Sequence, residues 1–170
     1  MFDLIKLNPR LWFLLGFASC FLMLAVGAYF QFVEEMEPCP LCISQRIAIL
    51  LTGLVFLVAA IHNPKKRGLK AYSIAGAIVA LCGAAISIRH VWIQNLPADE
   101  VPECGPGLEY VFENFPLINT IKLMLSGTGD CADILWTFLG ISIPGWTLLA
   151  FLGLASLSLL QQWNTPKYIK

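Results

Sequence analysis

Apolar residues in this chain run in four long blocks instead of alternating with polar ones. The first, Leu11–Val33, is uncharged between Arg10 and Glu34, and the second, Leu41–Ile61, holds one charge, Arg46, near its start. The third, Ala71–Trp92, carries Arg89 near its end, and the fourth runs from Pro144 to Trp163. Each approaches or exceeds the ~20 residues with which a helix crosses about 30 Å of hydrocarbon. Trp12, Trp92, Trp146 and Trp163 fall at the block ends, where an aromatic belt meets the membrane interface. The first block is longer than the ~7–15 apolar residues of a signal-peptide core, so a retained helix is expected despite a passable small-residue site at Ala25-Val26-Gly27. In the third block Gly76, Ala80 and Ala84 recur every four residues, a spacing that lets helices approach closely. Between the third and fourth blocks, Leu117, Ile121 and Leu125 share one stripe of a segment too short to span, which predicts a helix lying on the membrane. The expected fold is an all-α membrane protein. It is one domain over residues 1–170, a four-transmembrane-helix bundle with spans of about 11–33, 41–61, 71–92 and 144–163. Outer loops of about 34–40 and 93–143 join them, and the second is long and carries the short interfacial helix.

Composition removes the soluble alternative. Of 170 residues 58% are hydrophobic and 13% charged, against roughly 25% charged in soluble domains. The formal net charge is zero, so no basic excess points to nucleic acid; the implied surroundings are a lipid bilayer. The distribution of charge sets the orientation. Lys6 and Arg10 precede the first span, Lys65, Lys66, Arg67 and Lys70 lie between the second and third, and Lys167 and Lys170 follow the fourth. Ten of the eleven acidic residues lie in the other two loops. Basic residues mark the cytoplasmic side, which predicts cytoplasmic termini and places the two remaining loops outside.

The chemistry concentrates at the outer start of the second span, in Cys39-Pro40-Leu41-Cys42. Two thiols at this spacing can close a bridge, and Cys42, opening a helix, stands at the positive end of its dipole, which favours thiolate. Arg46 lies four residues on, on the same helix face, and an arginine at this depth is expensive unless it serves a function or snorkels to headgroups. Arg89-His90 ends the third span at similar depth, and neighbours on a helix diverge by about 100°, so one of the two is expected to face the bundle. The long outer loop contributes Cys104, set among Pro102, Gly105, Pro106 and Gly107, and Cys131. Cys20 and Cys82 fall mid-membrane, where a thiol packs as a small hydrophobe. Four cysteines on an oxidising face form disulfides by default. A CxxC ring is too small to restrain much chain, which favours a redox relay over two structural staples. A zinc site is the other alternative, but Cys104 and Cys131 do not repeat the CxxC spacing, so no metal is expected.

The joint pattern resembles the disulfide bond formation protein B (DsbB) family of bacterial inner membranes. The likeness rests on four spans, the CxxC with Arg46 beyond it, and two cysteines in the long loop. Most specific are Gly129-Asp130-Cys131-Ala132, Trp136, Phe138-Leu139-Gly140 and Pro144-x-Trp146. The resemblance implies a multi-pass inner-membrane enzyme with periplasmic redox cysteines, a thiol:quinone oxidoreductase. Its partner would be a periplasmic thioredoxin-fold oxidase similar to DsbA, and its cofactor a membrane quinone, ubiquinone or menaquinone. It further implies that a Cys104–Cys131 disulfide is attacked by the partner at Cys104, that Cys131 exchanges with Cys39, and that Cys42 passes electrons to the quinone. Arg46 and His90 would bind that quinone. Two rivals are a vitamin K epoxide reductase-like enzyme, whose CxxC sits late in its chain, and a four-span scaffold with structural disulfides.

Overall fold

The structure, a computed structural model, describes residues 8–97, 99–104, 110 and 115–164. Lys6, Glu109, Glu113, Lys167, Lys170, the Gly105–Gly107 turn and the Trp163 side chain lie outside the described residues. Four long helices carry the apolar blocks: α1 Pro9–Phe32, α2 Pro40–His62, α3 Lys66–Gln94 and, last in the chain, α5 Ile143–Asn164. All four are long and apolar enough to cross a membrane. Between α3 and α5 come α4, Leu117–Ser126, and a single 3-10 turn, Gly129–Cys131. A two-residue hairpin follows, β1 Thr137–Phe138 paired antiparallel with β2 Ile141–Ser142. The fold is the expected four-helix membrane bundle with a short amphipathic helix in the long loop; the hairpin is an addition that the apolar pattern does not contain.

Helix boundaries follow local chemistry. Asn8 caps α1, its side chain accepting from the Arg10 amide at 3.2 Å, with Pro9 at the first helical position where a missing N–H costs nothing. Cys39 caps α2 with extended backbone, and Pro40 again fills the first position. α2 ends at Asn63, in the left-handed region at φ 45°, and the next helix begins three residues later. The third helix thus begins before the span of about 71–92 that it contains. Lys66, Arg67 and Lys70 are already helical, because hydropathy marks where lipid begins and not where backbone hydrogen bonding begins.

Lipid gives apolar faces no reason to bury themselves, so helix contacts depend on close van der Waals fit. Glycines provide it. The Phe56 ring of α2 fills the space left by Gly16 of α1 and Gly76 of α3; a Cβ at either glycine would stand 2.6 Å from that ring. Phe151 of α5 is fully buried against Gly83 of α3. Ser73, Gly76, Ala80, Gly83, Ser87 and His90 form one buried stripe on α3, advancing by three and four residues. Leu117, Ile121 and Leu125 of α4 are exposed, whereas Thr120 and Met124 are buried, and Ser44 of α2 donates to the Met124 carbonyl at 3.1 Å. The amphipathic helix is thus anchored over the start of α2, where the CxxC lies.

Candidate functional site: a file of four sulfurs beside an apolar cavity

Cys39 and Cys42 occupy the cap and first turn of α2, with their sulfurs 3.2 Å apart. Cys131, in the 3-10 turn, is fully buried in a small cluster with Leu41 and Ile93, and Cys39 packs against that cluster. Cys104 is exposed and lies on the same turn from the outside. The Gly129 amide donates to the Glu103 carbonyl at 3.2 Å, and a Cβ on Gly129 would stand 2.7 Å from the Pro102 carbonyl oxygen and 3.0 Å from the Cys104 sulfur. Gly129 is there because nothing larger lets the Cys104 segment settle. The four outer cysteines therefore lie in file: Cys104 at the surface, Cys131 beneath it, Cys39 against Cys131, and Cys42 innermost.

Of the two residues ending α3, His90 faces the bundle. It is buried, with Nε2 3.7 Å from the Cys39 sulfur and Nδ1 3.2 Å from the Gln45 carboxamide nitrogen. Thr147 of α5 donates to the Gln45 carboxamide oxygen at 2.9 Å, so three helices meet through one polar chain. Arg89 turns outward, donating to the Ser126 carbonyl at 3.2 Å and lying 4.4 Å above the Trp92 ring; it ties α3 to the end of α4. Arg46 reaches across to α1, where it donates to the Gly27 carbonyl at 2.8 Å and to the Gln31 side chain. Gly27 makes room for it: a Cβ there would be 3.2 Å from the guanidinium Nε. These contacts hold the charge within the protein instead of releasing it to headgroups.

Beside this polar end opens a cavity of about 460 Å³ between α1, α2, the hairpin and α5. Val26, Phe30, Ile49, Trp136 and Trp146 provide much of its apolar wall, and Cys42, Gln45, Arg46 and Thr147 its polar end. Trp136 stacks on Phe138 at 6.0 Å between centroids and meets Phe30 of α1 at 5.2 Å, so the hairpin forms an aromatic roof. Cys42 lines both this cavity and a smaller, adjoining one of about 50 Å³ that also shares Glu37, Leu135, Trp136 and Ile143; His90 lines only the smaller. The residues expected as one cofactor pair, Arg46 and His90, thus stand on different cavities, Arg46 on the apolar one and His90 against the dithiol.

The family model for the disulfide bond formation protein DsbB matches residues 9–161. The chain is 61% identical to disulfide bond formation protein B of Methylococcus capsulatus over 160 residues, 94% of this chain and 98% of the relative. Its likeness to the protein of that name from Nitrosococcus oceani is 56% over 160 residues, 94% and 95% of the two chains, and to that from Stutzerimonas stutzeri 46% over 154, 91% and 94%. The chain belongs to the DsbB family.

In this DsbB-family chain the electrostatics grade the sulfurs outside the spans. At Cys39 the hydrogen bond with Cys131 favours thiolate, but the bond with Cys42 and burial together outweigh it and push the thiol up to about 12. Cys131 is pushed up by its hydrogen bond with Cys39 and then by burial. At Cys104 the cause is different: the Asp130 charge, then a hydrogen bond with that carboxylate, raise the thiol. A raised thiol pKa means less thiolate at a given pH, and thiolate is the reactive form. Asp130→Asn is therefore expected to speed alkylation of reduced Cys104 at neutral pH and to move its rate–pH profile to lower pH. An unchanged profile would show that Asp130 does not govern this thiol.

The sequence reading passed over Gln31, Gln45 and Thr147. Gln31 and Gln45 are uncharged, so a search for charges in apolar blocks does not find them, yet a carboxamide at that depth needs a partner just as a charge does.

Proposed function

We propose that this protein is a membrane thiol:quinone oxidoreductase of the bacterial inner membrane, which reoxidises a periplasmic thioredoxin-fold oxidase similar to DsbA. The observation carrying this reading is the position of Cys42, at the joint between a file of sulfurs and a large apolar cavity with an arginine at its polar end. The cavity falls within the ~300–1,000 Å³ usual for small-molecule sites, and its mostly aliphatic and aromatic lining, with the Arg46 cation and the Glu37 carboxylate as its charged groups, suits a greasy ring carrying polar oxygens. A quinone held there, ubiquinone or menaquinone, would supply an acceptor for two electrons and two protons.

The chain's own groups divide the remaining work. Cys104, exposed, takes the mixed disulfide with the partner, and release of the partner in oxidised form leaves Cys104 and Cys131 as thiols. Cys131, packed beside Cys39, then attacks the Cys39–Cys42 bridge, so the disulfide passes outward to Cys104–Cys131 and Cys39 and Cys42 hold the electron pair as a dithiol. Closing the Cys39–Cys42 disulfide releases two electrons and two protons, which balances quinol formation. Arg46 favours negative charge on the Cys42 sulfur or on a ring oxygen, and the outward placement of the cysteines follows from the charge distribution.

Arg46→Met tests the reading. Loss of a charge-assisted hydrogen bond of about 1.5–3 kcal/mol is expected to raise the quinone KM roughly 10–100-fold. Thiol exchange between Cys104 and a reduced thioredoxin-fold protein, measured without quinone, is expected to keep its rate. Equal quinone kinetics in variant and parent would remove Arg46 from the site. Purified protein that transfers no electrons from dithiol to quinone would remove the function.

A further inference from the structure

Cys39, Cys42 and His90 place three soft donor atoms, Sγ, Sγ and Nε2, all within 4.8 Å of one another. The sulfurs are 3.2 Å apart and the Cys39 sulfur is 3.7 Å from Nε2. All three residues line the 50 Å³ cavity, which has the volume of an ion with a water or two, and Glu37, Asp130 and Asp133 line the same space. We infer that the reduced Cys39–Cys42 dithiol and His90 form a binding site for a thiophilic d10 cation of the zinc class, which holds the pair reduced. This inference does not rest on the quinone reading.

Geometry and charge support it together. An ion about 2.3 Å from sulfur and about 2.0–2.1 Å from nitrogen in tetrahedral geometry separates its donors by about 3.8 Å (S to S) and about 3.6 Å (S to N). The Cys39-to-Nε2 separation already matches, the Cys42 sulfur lies within 4.8 Å of Nε2, and the two sulfurs need to open by roughly 0.6 Å, within the reach of a χ1 adjustment at a helix start. His90 must bind through Nε2, which requires the proton on Nδ1. Gln45 accommodates that tautomer by turning its carboxamide oxygen to Nδ1, and the freed amide nitrogen then donates to Thr147. The Thr147 hydroxyl keeps a partner in the Pro144 carbonyl at 2.9 Å. The carboxylates that line the cavity draw cations in, and a water or one of their oxygens would complete the fourth coordination position. Binding releases two thiol protons to solvent and moves no electron. With both sulfurs held as metal thiolates, neither attacks a disulfide nor closes the bridge, so turnover stops at the reduced dithiol.

The test uses the full chain in detergent, fully reduced, titrated with Cd²⁺ and followed by sulfur-to-cadmium absorbance. The expected result is one tight Cd²⁺ per chain, retained in Cys104→Ser and lost when the Cys39–Cys42 bridge is closed. His90→Gln is expected to weaken binding by about 100-fold, the upper end of what even an outer-shell partner gives. Because His90 is buried and the variant can fail to fold, X-ray absorption of Zn²⁺ on the unaltered protein provides a second measurement. Two sulfur scatterers at about 2.3 Å, with one imidazole nitrogen and one oxygen at about 2.0–2.1 Å, are expected. Equal affinity with the bridge closed, loss of binding in Cys104→Ser, or a shell of three or more sulfurs would overturn the proposal.

Discussion

Cys42→Ser is expected to reduce quinone-dependent oxidation of a thioredoxin-fold partner to the assay background. The physical reason is leaving-group and nucleophile chemistry: a serine hydroxyl neither attacks a disulfide nor leaves from one, so the bridge at the start of α2 cannot close. Everything outward of it is untouched. Cys104 still meets the partner, but Cys39 has no Cys42 to bridge with, so the expected end point is a partner–Cys104 mixed disulfide accompanied by free thiols at Cys131 and Cys39. Non-reducing electrophoresis with peptide mapping would report both. Cys20→Ala and Cys82→Ala provide the contrast, because Cys20 is buried against Gly53 in the bundle and Cys82 is exposed on the apolar surface of α3, both away from the file of sulfurs. They are expected to retain the parent rate. Parent-like turnover in Cys42→Ser would move the electron exit elsewhere.

Gly83→Val is expected to be the most damaging single change to the bundle itself. A Cβ at Gly83 would lie 2.3 Å from Cε1 of Phe151, a fully buried ring, and α3 with α5 forms the most extensive helix pair. Neither ring nor helix can yield by that distance without separating the pair. Overpacking costs about 1–3 kcal/mol in a well-packed core, and the upper end or beyond applies where close backbone approach is itself the stabilising contact. The measurement is thermal or denaturant unfolding in detergent. Gly153→Val is the matched control, since a Cβ there meets nothing within 4 Å, and it is expected to leave stability unchanged. Phe151→Leu combined with Gly83→Ala should recover part of the loss by removing the ring that collides. If Gly83→Val and Gly153→Val were equally stable, the α3–α5 contact would not be the one holding the bundle.

Much of the architecture was legible in the chain because its causes are local. Twenty or more apolar residues in a row have one stable arrangement in lipid, a helix whose backbone groups satisfy each other, and all four spans follow from that. The 3.6-residue period put Leu117, Ile121 and Leu125 on one stripe, and α4 exposes that stripe. The same period held an unread answer: Gly76, Ala80, Gly83 and Ser87 lead along one face directly to His90, not to Arg89, so the choice between them was already in the spacing of the small residues.

What no local rule determines is which segments face each other. The contact of Cys131 with Cys39, the reach of Arg46 to Gln31 on α1, and the bridge from His90 through Gln45 to Thr147 each join residues far apart in the chain. Hydropathy and periodicity assign a residue to a face but are silent on the neighbour opposite. Only the close fit of glycines against Phe56 and Phe151 sets that neighbour, and with it the cavity beside Cys42. The amino-acid order by itself determined that this chain spans a membrane with a dithiol at one edge. Tertiary packing decided which sulfur lies beside which, and that Arg46 lines the larger cavity and His90 the smaller, because those distances are set by side-chain volumes meeting across helices.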